Sequence, residues 1–226
     1  MIGLIGGMSW ESTVEYYRIM NELVRERLGG WHSAEILLYS VDFDEIVRLQ
    51  KAGDWKKMSE ILGEIAVKLE NAGAKAVLIC TNTMHKIADE VQSRINVPLI
   101  NIIDATAEVL KRDGVKKAGL LGTKFTMEDG FYQERTKRHG IEILIPERED
   151  DRNAVHSIIF DELCFGIFKD ESKRKLESIV EELKRRGADG IILGCTELPL
   201  LLKGDGLYDT TRIHAEAAVE FLLSNI

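Results

Sequence analysis

Short apolar runs alternate with longer amphipathic segments along the whole sequence, and this alternation restricts the fold more than any other feature. The runs are rich in Val, Ile and Leu and have the length of single strands. We predict strands at 2–5, 35–41, 76–80, 98–102, 117–121, 141–145, 190–194 and 206–208. The segments between them have helical spacing and predict helices at 10–28, 42–49, 54–72, 84–95, 104–112, 126–139, 150–164, 170–187 and 212–224. Such alternation is typical of an α/β fold in which mostly parallel sheets are flanked by helices.

The two halves of the sequence resemble each other at a common offset. I-G-L-I-G-G-M-S-W-E at 2–11 is similar to A-G-L-L-G-T-K-F-T-M-E at 118–128. Further along, L-E-N-A-G-A-K-A-V-L-I-C-T-N-T at 69–83 is similar to L-K-R-R-G-A-D-G-I-I-L-G-C-T-E at 183–197. Several matches at one offset indicate an internal duplication.

The duplication predicts two pseudo-symmetric lobes. We expect the first lobe to comprise residues 1–102 and the second lobe residues 103–208, with a closing helix at 209–226 that packs back on the first lobe. In open parallel sheets, ligands bind beyond the carboxyl ends of the strands. We therefore expect the active site to lie in the cleft between the lobes.

Two of the apolar runs end at cysteines, Cys80 and Cys195, and each cysteine is followed by threonine. A thiol at a strand end meets backbone N–H groups and the positive end of a helix dipole, which lower its pKa. A single buried cysteine often only fills space. Two cysteines at matching positions of duplicated lobes favour a shared chemical role instead.

Paired thiols on opposite sides of a small ligand suit the inversion of a carbon centre. One thiolate removes a proton from the carbon, and the opposing thiol returns a proton to the other face. Hydrogen-bond donors around a neighbouring carboxylate stabilise the enolate charge that develops. Residues that follow the two cysteines carry hydroxyl and amide donors of this kind: Thr81, Asn82, Thr83 and Thr196.

The bulk composition excludes several other classes of protein. The net charge of −8, from 30 basic and 38 acidic residues, disfavours a nucleic-acid partner. No apolar run reaches the roughly 18 residues needed to span a bilayer, so we expect no membrane partner. The first residues contain no basic segment before a long apolar run, from which we expect a cytoplasmic protein. The three cysteines lack metal-ligand spacing, and G-x-G-x-x-G and P-loop motifs do not occur, so no metal or nucleotide cofactor is expected.

Three motifs together resemble the cofactor-independent aspartate/glutamate racemases: C-T-N-T-M-H at 80–85, G-C-T-E at 194–197 and I-G-L-I-G-G-M-S-W-E-S-T at 2–13. The resemblance covers essentially the whole chain and is greatest to the branch that acts on both aspartate and glutamate. It implies a racemase of acidic amino acids that is a homodimer and needs neither pyridoxal phosphate nor metal. It also implies that Cys80 and Cys195 are the two acid/base thiols.

The same resemblance implies a set of substrate-binding residues: Met8, Ser9, Gln50, Thr81, Asn82, Thr83, Thr123, Thr126, Cys164 and Thr196. In this set the threonines and Asn82 bind the α-carboxylate and amino group, and Met8 and Ser9 form a wall. Met8 and Ser9 can equally be turn residues after a strand, and Cys164 can be a packing residue of a helix.

Some positions depart from the pattern of related enzymes. Many glutamate racemases have His where this chain has Glu197, whereas aspartate-type members resemble this chain there. Some aspartate racemases hold the side-chain carboxylate with an Arg and a Lys, at positions that correspond to Gln50 and Cys164. A neutral pair forms no ion pair with that carboxylate. The cations that can replace the pair are Arg48, Lys51 and Lys124.

Other functions stay open at this point. Maleate isomerases, hydantoin racemases and arylmalonate decarboxylases belong to the same superfamily, and a maleate isomerase uses a thiol as a nucleophile. Two lobes around a cleft are also typical of non-catalytic solute-binding proteins, which have no need of strand-end cysteines.

Several further side chains carry weaker expectations. His85 can tune Cys80 or contact a helix end, and His156 and His214 have no predicted partner. Three aromatic residues at helical spacing are expected in the core or at a subunit interface: Trp10, Tyr16 and Tyr17.

Overall fold

The computed structural model describes residues 1–224, which form two compact units. One unit comprises Met1–Ile102 and the chain from His214 onward, and the other comprises Ile103–Ile213. Each unit is built around its own parallel sheet, of three strands in the first unit and four in the second. The α/β fold with parallel sheets flanked by helices is therefore confirmed.

The first unit has a parallel sheet in which β1 lies between β2 and β3. The strands are β1 (Ile2–Gly6), β2 (Ile36–Ser40) and β3 (Ala76–Ile79). The helices of this part of the chain are α1 (Trp10–Leu28), α2 (Phe43–Ala52), α3 (Trp55–Asn71) and α4 (Ala88–Gln92), with a 3-10 turn at Thr83–Ile87 before α4.

Side chains alternate between the two faces of this sheet, so each face has its own core. Leu4 and Cys80 lie in one buried cluster with Tyr16 of α1. Ile79, which points to the opposite face, lies in a second cluster with Leu62 of α3. The sheet is covered on both faces, as its uninterrupted apolar strands require.

The second unit has a parallel sheet of order β5-β4-β6-β7. Its strands are β4 (Lys117–Leu121), β5 (Glu142–Leu144), β6 (Gly190–Leu193) and β7 (Leu207–Asp209). The remaining helices are α5 (Ile102–Arg112), α6 (Lys124–Glu128), α7 (Phe131–Lys137), α8 (Glu149–Ser157), α9 (Asp170–Arg185), α10 (Leu198–Leu201) and α11 (Thr210–Ser224).

Side-chain caps explain where three of the helices begin. The carboxylate of Asp42 accepts from the Asp44 N–H at 3.1 Å before α2, and that of Asp54 accepts from the Lys57 N–H at 2.9 Å before α3. Thr123 accepts from the Thr126 N–H at 3.3 Å before α6. Each cap satisfies a backbone donor that has no partner within its helix.

Two predicted elements are wrong. The segment 98–102 is not a strand, because Leu99 makes only a single bridge to Val77 and α5 already begins at Ile102. The predicted helix at 126–139 is divided into α6 and α7, because Gly130 adopts a positive φ of 81° between them.

Other predicted boundaries shift. The helix predicted at 150–164 ends as an α-helix at Ser157 and continues as π and 3-10 turns, and α10 was not predicted. The return to the first unit occurs inside α11, between residues 213 and 214, rather than at residue 209. The first turn of α11 stays with the second unit, where the Thr210 hydroxyl donates to the Leu193 carbonyl at 2.8 Å.

Candidate active site

Cys80 directly follows β3, next to the end of β1. Its backbone N–H donates to the Ile5 carbonyl at 2.9 Å, which continues the pairing of the two strands by one residue. The side chain is completely buried. Burial raises the pKa of the Cys80 thiol. The expectation of a lowered pKa is therefore wrong for this structure, because loss of hydration outweighs the short 3-10 turn that follows.

The segment after Cys80 is held by His85. The Nδ1–H of His85 donates to the Thr81 carbonyl at 2.8 Å, and Nε2 accepts from the Ile102 N–H at 3.1 Å. Both ring nitrogens are thus used by the neutral imidazole, which fixes the tautomer. Thr81 is half-buried, whereas Asn82 and Thr83 are buried. His85 therefore positions the segment that carries three of the predicted binding residues.

His214 has partners that the sequence did not predict. The Tyr16 hydroxyl donates to Nδ1 of His214 at 2.8 Å, and Nε2 of His214 donates to the Ile100 carbonyl at 2.7 Å. Burial, followed by the neighbouring His85, lowers the pKa of His214 to about 3. His156 also has a partner, because its Nδ1 accepts from the Lys124 N–H at 3.3 Å. The sequence predicted no partner for either histidine, and the structure supplies one for each.

Met8 and Ser9 lie in the turn between β1 and α1, and both are buried. The Thr13 hydroxyl donates to the Ser9 carbonyl at 2.8 Å and accepts from the Gly7 N–H at 2.9 Å. Gly7 has a φ of 87°, and a Cβ there would lie 2.5 Å from the Val41 carbonyl oxygen. Only glycine fits this turn, which places Met8 and Ser9 at the same sheet end as Cys80.

Gln50 lies in the last turn of α2 and is buried, with 6% of its surface exposed. Among the residues described, its Oε1 has no hydrogen-bond partner. Two of the cations considered as partners of the side-chain carboxylate are exposed. Arg48 forms an ion pair with Asp44 at the surface, and Lys51 is also at the surface. Across residues 1–224, no Lys or Arg side chain is fully buried.

In the second unit, Thr123 and Thr126 lie beyond the end of β4. Both are buried, and their hydroxyl oxygens are 3.2 Å apart. A Cβ on Gly122 would lie 2.9 Å from the Gly194 carbonyl oxygen, so the ends of β4 and β6 touch through two glycines. The nearby Lys124 ammonium is occupied, because Nζ donates to Asn153 at 2.8 Å and lies 3.7 Å from Glu149.

Cys195 follows β6 and faces a buried carboxylate. Its Sγ donates to Oε2 of Glu197 at 2.8 Å, and the Thr196 hydroxyl donates to the same oxygen at 3.1 Å. Thr196 and Glu197 are both buried. Burial, then the charge of Glu197, then Cys164, raise the pKa of the Cys195 thiol well above its usual range. The lowered pKa expected for this thiol is therefore also wrong.

The structure groups the predicted residues within each unit. Met8, Ser9 and the 81–83 segment lie with Cys80 beyond adjacent strands β1 and β3, and Thr123, Thr126 and Thr196 lie with Cys195 beyond adjacent strands β4 and β6. Cys164 is half-buried in the 3-10 turn Leu163–Phe165. The role of Glu197 as a partner of a thiol was missed, and its place two residues after Cys195 was the available signal.

Comparisons with known proteins match this organisation. A family model described as Asp/Glu/hydantoin racemase matches residues 5–218. The solved structure of a candidate Asp/Glu racemase from Yersinia pestis is 49% identical, with 98% of each chain covered and a TM-score of 0.90. That of an aspartate racemase homologue from Pyrococcus horikoshii OT3 is 37% identical, with 97% of each chain covered and a TM-score of 0.84. A broad-specificity amino-acid racemase from Bacillus subtilis is 25% identical over 89% of this chain and 87% of its own length.

Within residues 1–224, no helix is both long and apolar enough to cross a bilayer. In the same part of the chain, no group of three or more His, Cys, Asp and Glu side chains is arranged to hold a metal ion.

Proposed function

The chain belongs to the Asp/Glu/hydantoin racemase family, and we propose that it interconverts the L and D forms of aspartate, glutamate or both without a cofactor. One observation carries the proposal: a cysteine stands at the equivalent strand end of each unit. Cys80 follows β3 beside β1, and Cys195 follows β6 beside β4. Inversion of a carbon centre requires one proton-transferring group for each face, and two matched thiols meet that requirement.

The proposed reaction uses the two thiols as opposite partners. The thiolate on one face takes the α-proton and becomes a thiol, while the C–H electron pair passes into an enolate-like carbanion. The thiol on the other face then gives its proton to the carbon and becomes the thiolate, so that bonds and charge balance. In the reverse direction the roles of Cys80 and Cys195 are exchanged.

The resting thiols need activation. Burial raises the pKa of both Cys80 and Cys195, which favours the neutral thiol over the thiolate at each position. We propose that the α-ammonium group of the bound substrate supplies part of the activation, because an opposite charge within about 4–6 Å favours an ionised group. Buried hydroxyls of Thr83, Thr123 and Thr126 are available as donors to the α-carboxylate.

Recognition of the side-chain carboxylate is proposed to rest on Gln50 rather than on an ion pair. The amide of Gln50 has two N–H donors and is buried in the same unit as Cys80. Because the candidate cations are exposed or occupied, hydrogen bonds are the available means of holding a second carboxylate. A site of this kind also tolerates both aspartate and glutamate, since no charged atom fixes the length of the side chain.

We further propose that the protein is a homodimer. Trp10, Val14 and Tyr17 are exposed at i, i+4 and i+7 of α1, and Leu38 and Tyr39 are exposed on the edge strand β2. Exposed apolar groups of this size mark interaction surfaces. Sedimentation of the variant Val14→Glu is expected to show monomer where the wild type shows dimer, with Phe165→Glu, exposed in the other unit, as the control.

The central test is a chiral assay without added cofactor. Wild-type protein in D2O is expected to racemise aspartate or glutamate and to introduce deuterium at Cα. Cys80→Ala and Cys195→Ala are each expected to abolish racemisation, while Ser178→Ala on the exposed face of α9 serves as the control. Full turnover in either cysteine variant would exclude the two-thiol mechanism. Tight binding without exchange would favour a binding protein, and a covalent maleate adduct without racemisation would favour a maleate isomerase.

A further inference from the structure

Buried threonines follow three neighbouring strands of the second sheet. Thr123 comes after β4, Thr196 after β6 and Thr211 after β7, and these strands are adjacent in the order β4-β6-β7. Each of the three side chains is more than nine-tenths buried. The carboxyl ends of parallel strands share one edge of the sheet, which is where ligands of such sheets bind. Thr211 was not among the predicted site residues, yet it lies at the same edge as the other two.

Thr211 lies at the level of Cys195. The register pairs Leu193 of β6 with Asp209 of β7, and Cys195 and Thr211 each come two residues later. The Thr210 hydroxyl donates to the Leu193 carbonyl at 2.8 Å, so the two segments stay together where the strands end. The register therefore places Thr211 beside the segment that carries the proposed acid/base thiol, within the same unit.

The hydroxyl of Thr211 is buried without a partner. The residue is 2% exposed, and its Oγ1 has no hydrogen-bond partner among the residues that the structure describes. A threonine in the interior of a helix donates to the carbonyl three or four residues before it. Thr211 lies in the first turn of α11, where the residues three and four positions earlier belong to β7. The hydroxyl therefore keeps its capacity to donate and to accept.

The backbone donors at this end of α11 are already satisfied. Oδ1 of Asp209 accepts from the Thr211 N–H at 2.9 Å and from the Arg212 N–H at 3.1 Å. These are donors that an anion would otherwise use at a helix N-terminus. What this point of the fold offers to a ligand is therefore the side-chain hydroxyl of Thr211.

The first two residues of α11 differ in how their hydroxyls are used. Both side chains are buried, but only the Thr210 hydroxyl has a bond to the Leu193 carbonyl. Burial of a hydroxyl without a partner is unfavourable, and a valine has nearly the same shape without that penalty. The penalty at Thr211 is removed when a bound ligand supplies the partner.

We infer that Thr211 is a substrate-binding residue whose hydroxyl donates a hydrogen bond to a carboxylate oxygen of the bound amino acid. This inference rests on the proposed racemase function and adds a ligand to its site. Thr123 and Thr126 have their hydroxyl oxygens 3.2 Å apart, and the Thr196 hydroxyl donates to Glu197. The Thr211 hydroxyl, in contrast, gives up no bond to a described residue when it meets a carboxylate.

The kinetics and stability of Thr211→Val test the inference. Valine keeps the shape of the side chain and removes the hydroxyl. KM for aspartate is expected to rise about 10-fold or more with a smaller change in kcat, because a hydrogen bond to a charged group is lost. The free protein loses only an unpartnered group, so its urea midpoint is expected to be unchanged or higher.

Two further substitutions at the same position complete the test. Thr211→Ser keeps the hydroxyl and is expected to retain a KM close to that of the wild type. Thr211→Ala takes the place of the valine variant if that protein does not fold, with the same expected rise in KM.

Thr210→Val is the matched control, because Thr210 is buried next to Thr211 and has its partner within the protein. Loss of the bond to the Leu193 carbonyl is expected to raise the equilibrium constant for unfolding about fivefold. KM for aspartate is expected to stay unchanged. The two valine variants thus have opposite signatures, one in substrate binding and the other in stability.

Alanine as a competing ligand distinguishes the two carboxylates of an acidic substrate. Alanine keeps the ammonium and the α-carboxylate and lacks the second carboxylate. If Thr211 donates to the α-carboxylate, the inhibition constant of alanine is expected to rise in Thr211→Val by the same factor as KM for aspartate. If Thr211 donates to the side-chain carboxylate, only KM for aspartate is expected to rise.

The outcomes separate this inference from the function on which it rests. An unchanged KM for aspartate in a folded Thr211→Val protein would overturn the role of Thr211 and leave the two thiols in place. Equal increases of KM in Thr210→Val and Thr211→Val would do the same, because they would indicate a general disturbance of the helix end. Absence of racemisation and of α-proton exchange in the wild type would instead overturn the proposed function.

Discussion

The hydroxyl of Tyr16 donates a hydrogen bond to Nδ1 of His214 across 2.8 Å, which joins α1 to α11 in the core of the first unit. His214 in turn donates to the Ile100 carbonyl at 2.7 Å, and its ring lies edge-on to that of His85 at 5.7 Å between centroids. Because His85 holds the Thr81 carbonyl, a continuous set of neutral polar groups extends from α11 to the segment after Cys80.

The first prediction concerns this hydrogen bond. Tyr16→Phe leaves the buried Nδ1 of His214 without its donor and is expected to lower the free energy of unfolding by about 1–3 kcal/mol. Tyr17→Phe is the matched control, because Tyr17 is 56% exposed, and it is expected to change stability by less than about 0.5 kcal/mol. Urea unfolding measures both. Equal midpoints for the two variants would contradict the role of the bond.

The second prediction is a dependence of stability on pH. Burial lowers the pKa of His214 to about 3 in the folded protein, whereas an unfolded histidine titrates near 6.5. The unfolded chain therefore binds the proton first. Neutral His214 makes its full contribution to the free energy of unfolding above about pH 6.5, and this contribution is lost as the pH falls towards 3.

At pH 5 this loss is expected to be about 2 kcal/mol. His214→Gln removes the titrating group, so the difference in unfolding free energy between wild type and variant is expected to shrink by about that amount from pH 7.5 to pH 5. Urea unfolding at the two pH values measures it. A constant difference would show that His214 titrates normally.

The third prediction concerns the turn before α1. Gly7→Ala combines a φ of 87° with a Cβ placed 2.5 Å from the Val41 carbonyl oxygen, and is expected to cost about 3 kcal/mol or more. Gly53→Ala has a similar φ of 69° in the left-handed helical region with no atom within 4 Å, so it is expected to cost only about 1 kcal/mol. Thermal or urea unfolding compares the two. Similar losses of unfolding free energy in the two variants would mean that backbone strain, and not the contact with the Val41 carbonyl oxygen, causes the destabilisation.

The fourth prediction tests Gln50. Gln50→Leu removes a buried amide oxygen that has no partner among residues 1–224, so stability is expected to be unchanged or higher. If Gln50 binds the side-chain carboxylate, KM for aspartate is expected to rise about 10-fold or more with a smaller change in kcat. Arg48→Gln, at an exposed ion pair, is the control. An unchanged KM in Gln50→Leu would remove Gln50 from the site.

The fifth prediction concerns thiol reactivity. Burial raises the pKa of Cys80 and Cys195, whereas Cys164 is half-buried. Because the thiolate is the reactive form, iodoacetamide at neutral pH is expected to label Cys164 first. Mass spectrometry of timed samples gives the order. Early labelling of Cys80 would show that its burial is relieved in solution.

Local pattern was sufficient for much of the fold. The strand positions, the duplication and the two strand-end cysteines follow from residue periodicity and spacing, which act over a few neighbouring residues. The wrong predictions of secondary structure occurred where the local residue pattern disagreed with the conformation that the folded chain imposes. Leu99 lies in an apolar run that reads as a strand, yet only one bridge to Val77 forms before α5 begins. The helical pattern at 126–139 contains Gly130, whose positive φ divides the segment into two helices.

The sequence by itself determined the alternation of strands and helices, the two-fold repetition and the family, because these are written in spacing and in motifs. Only the tertiary structure decided the state of the candidate site. Burial raises the pKa of both thiols, which is the opposite of the expected direction. His214 accepts a hydrogen bond from Tyr16, 198 residues away in the chain, and Cys195 donates one to Glu197. Hydration and long-range hydrogen bonds depend on what is packed around a group, and that is settled only when the chain has folded.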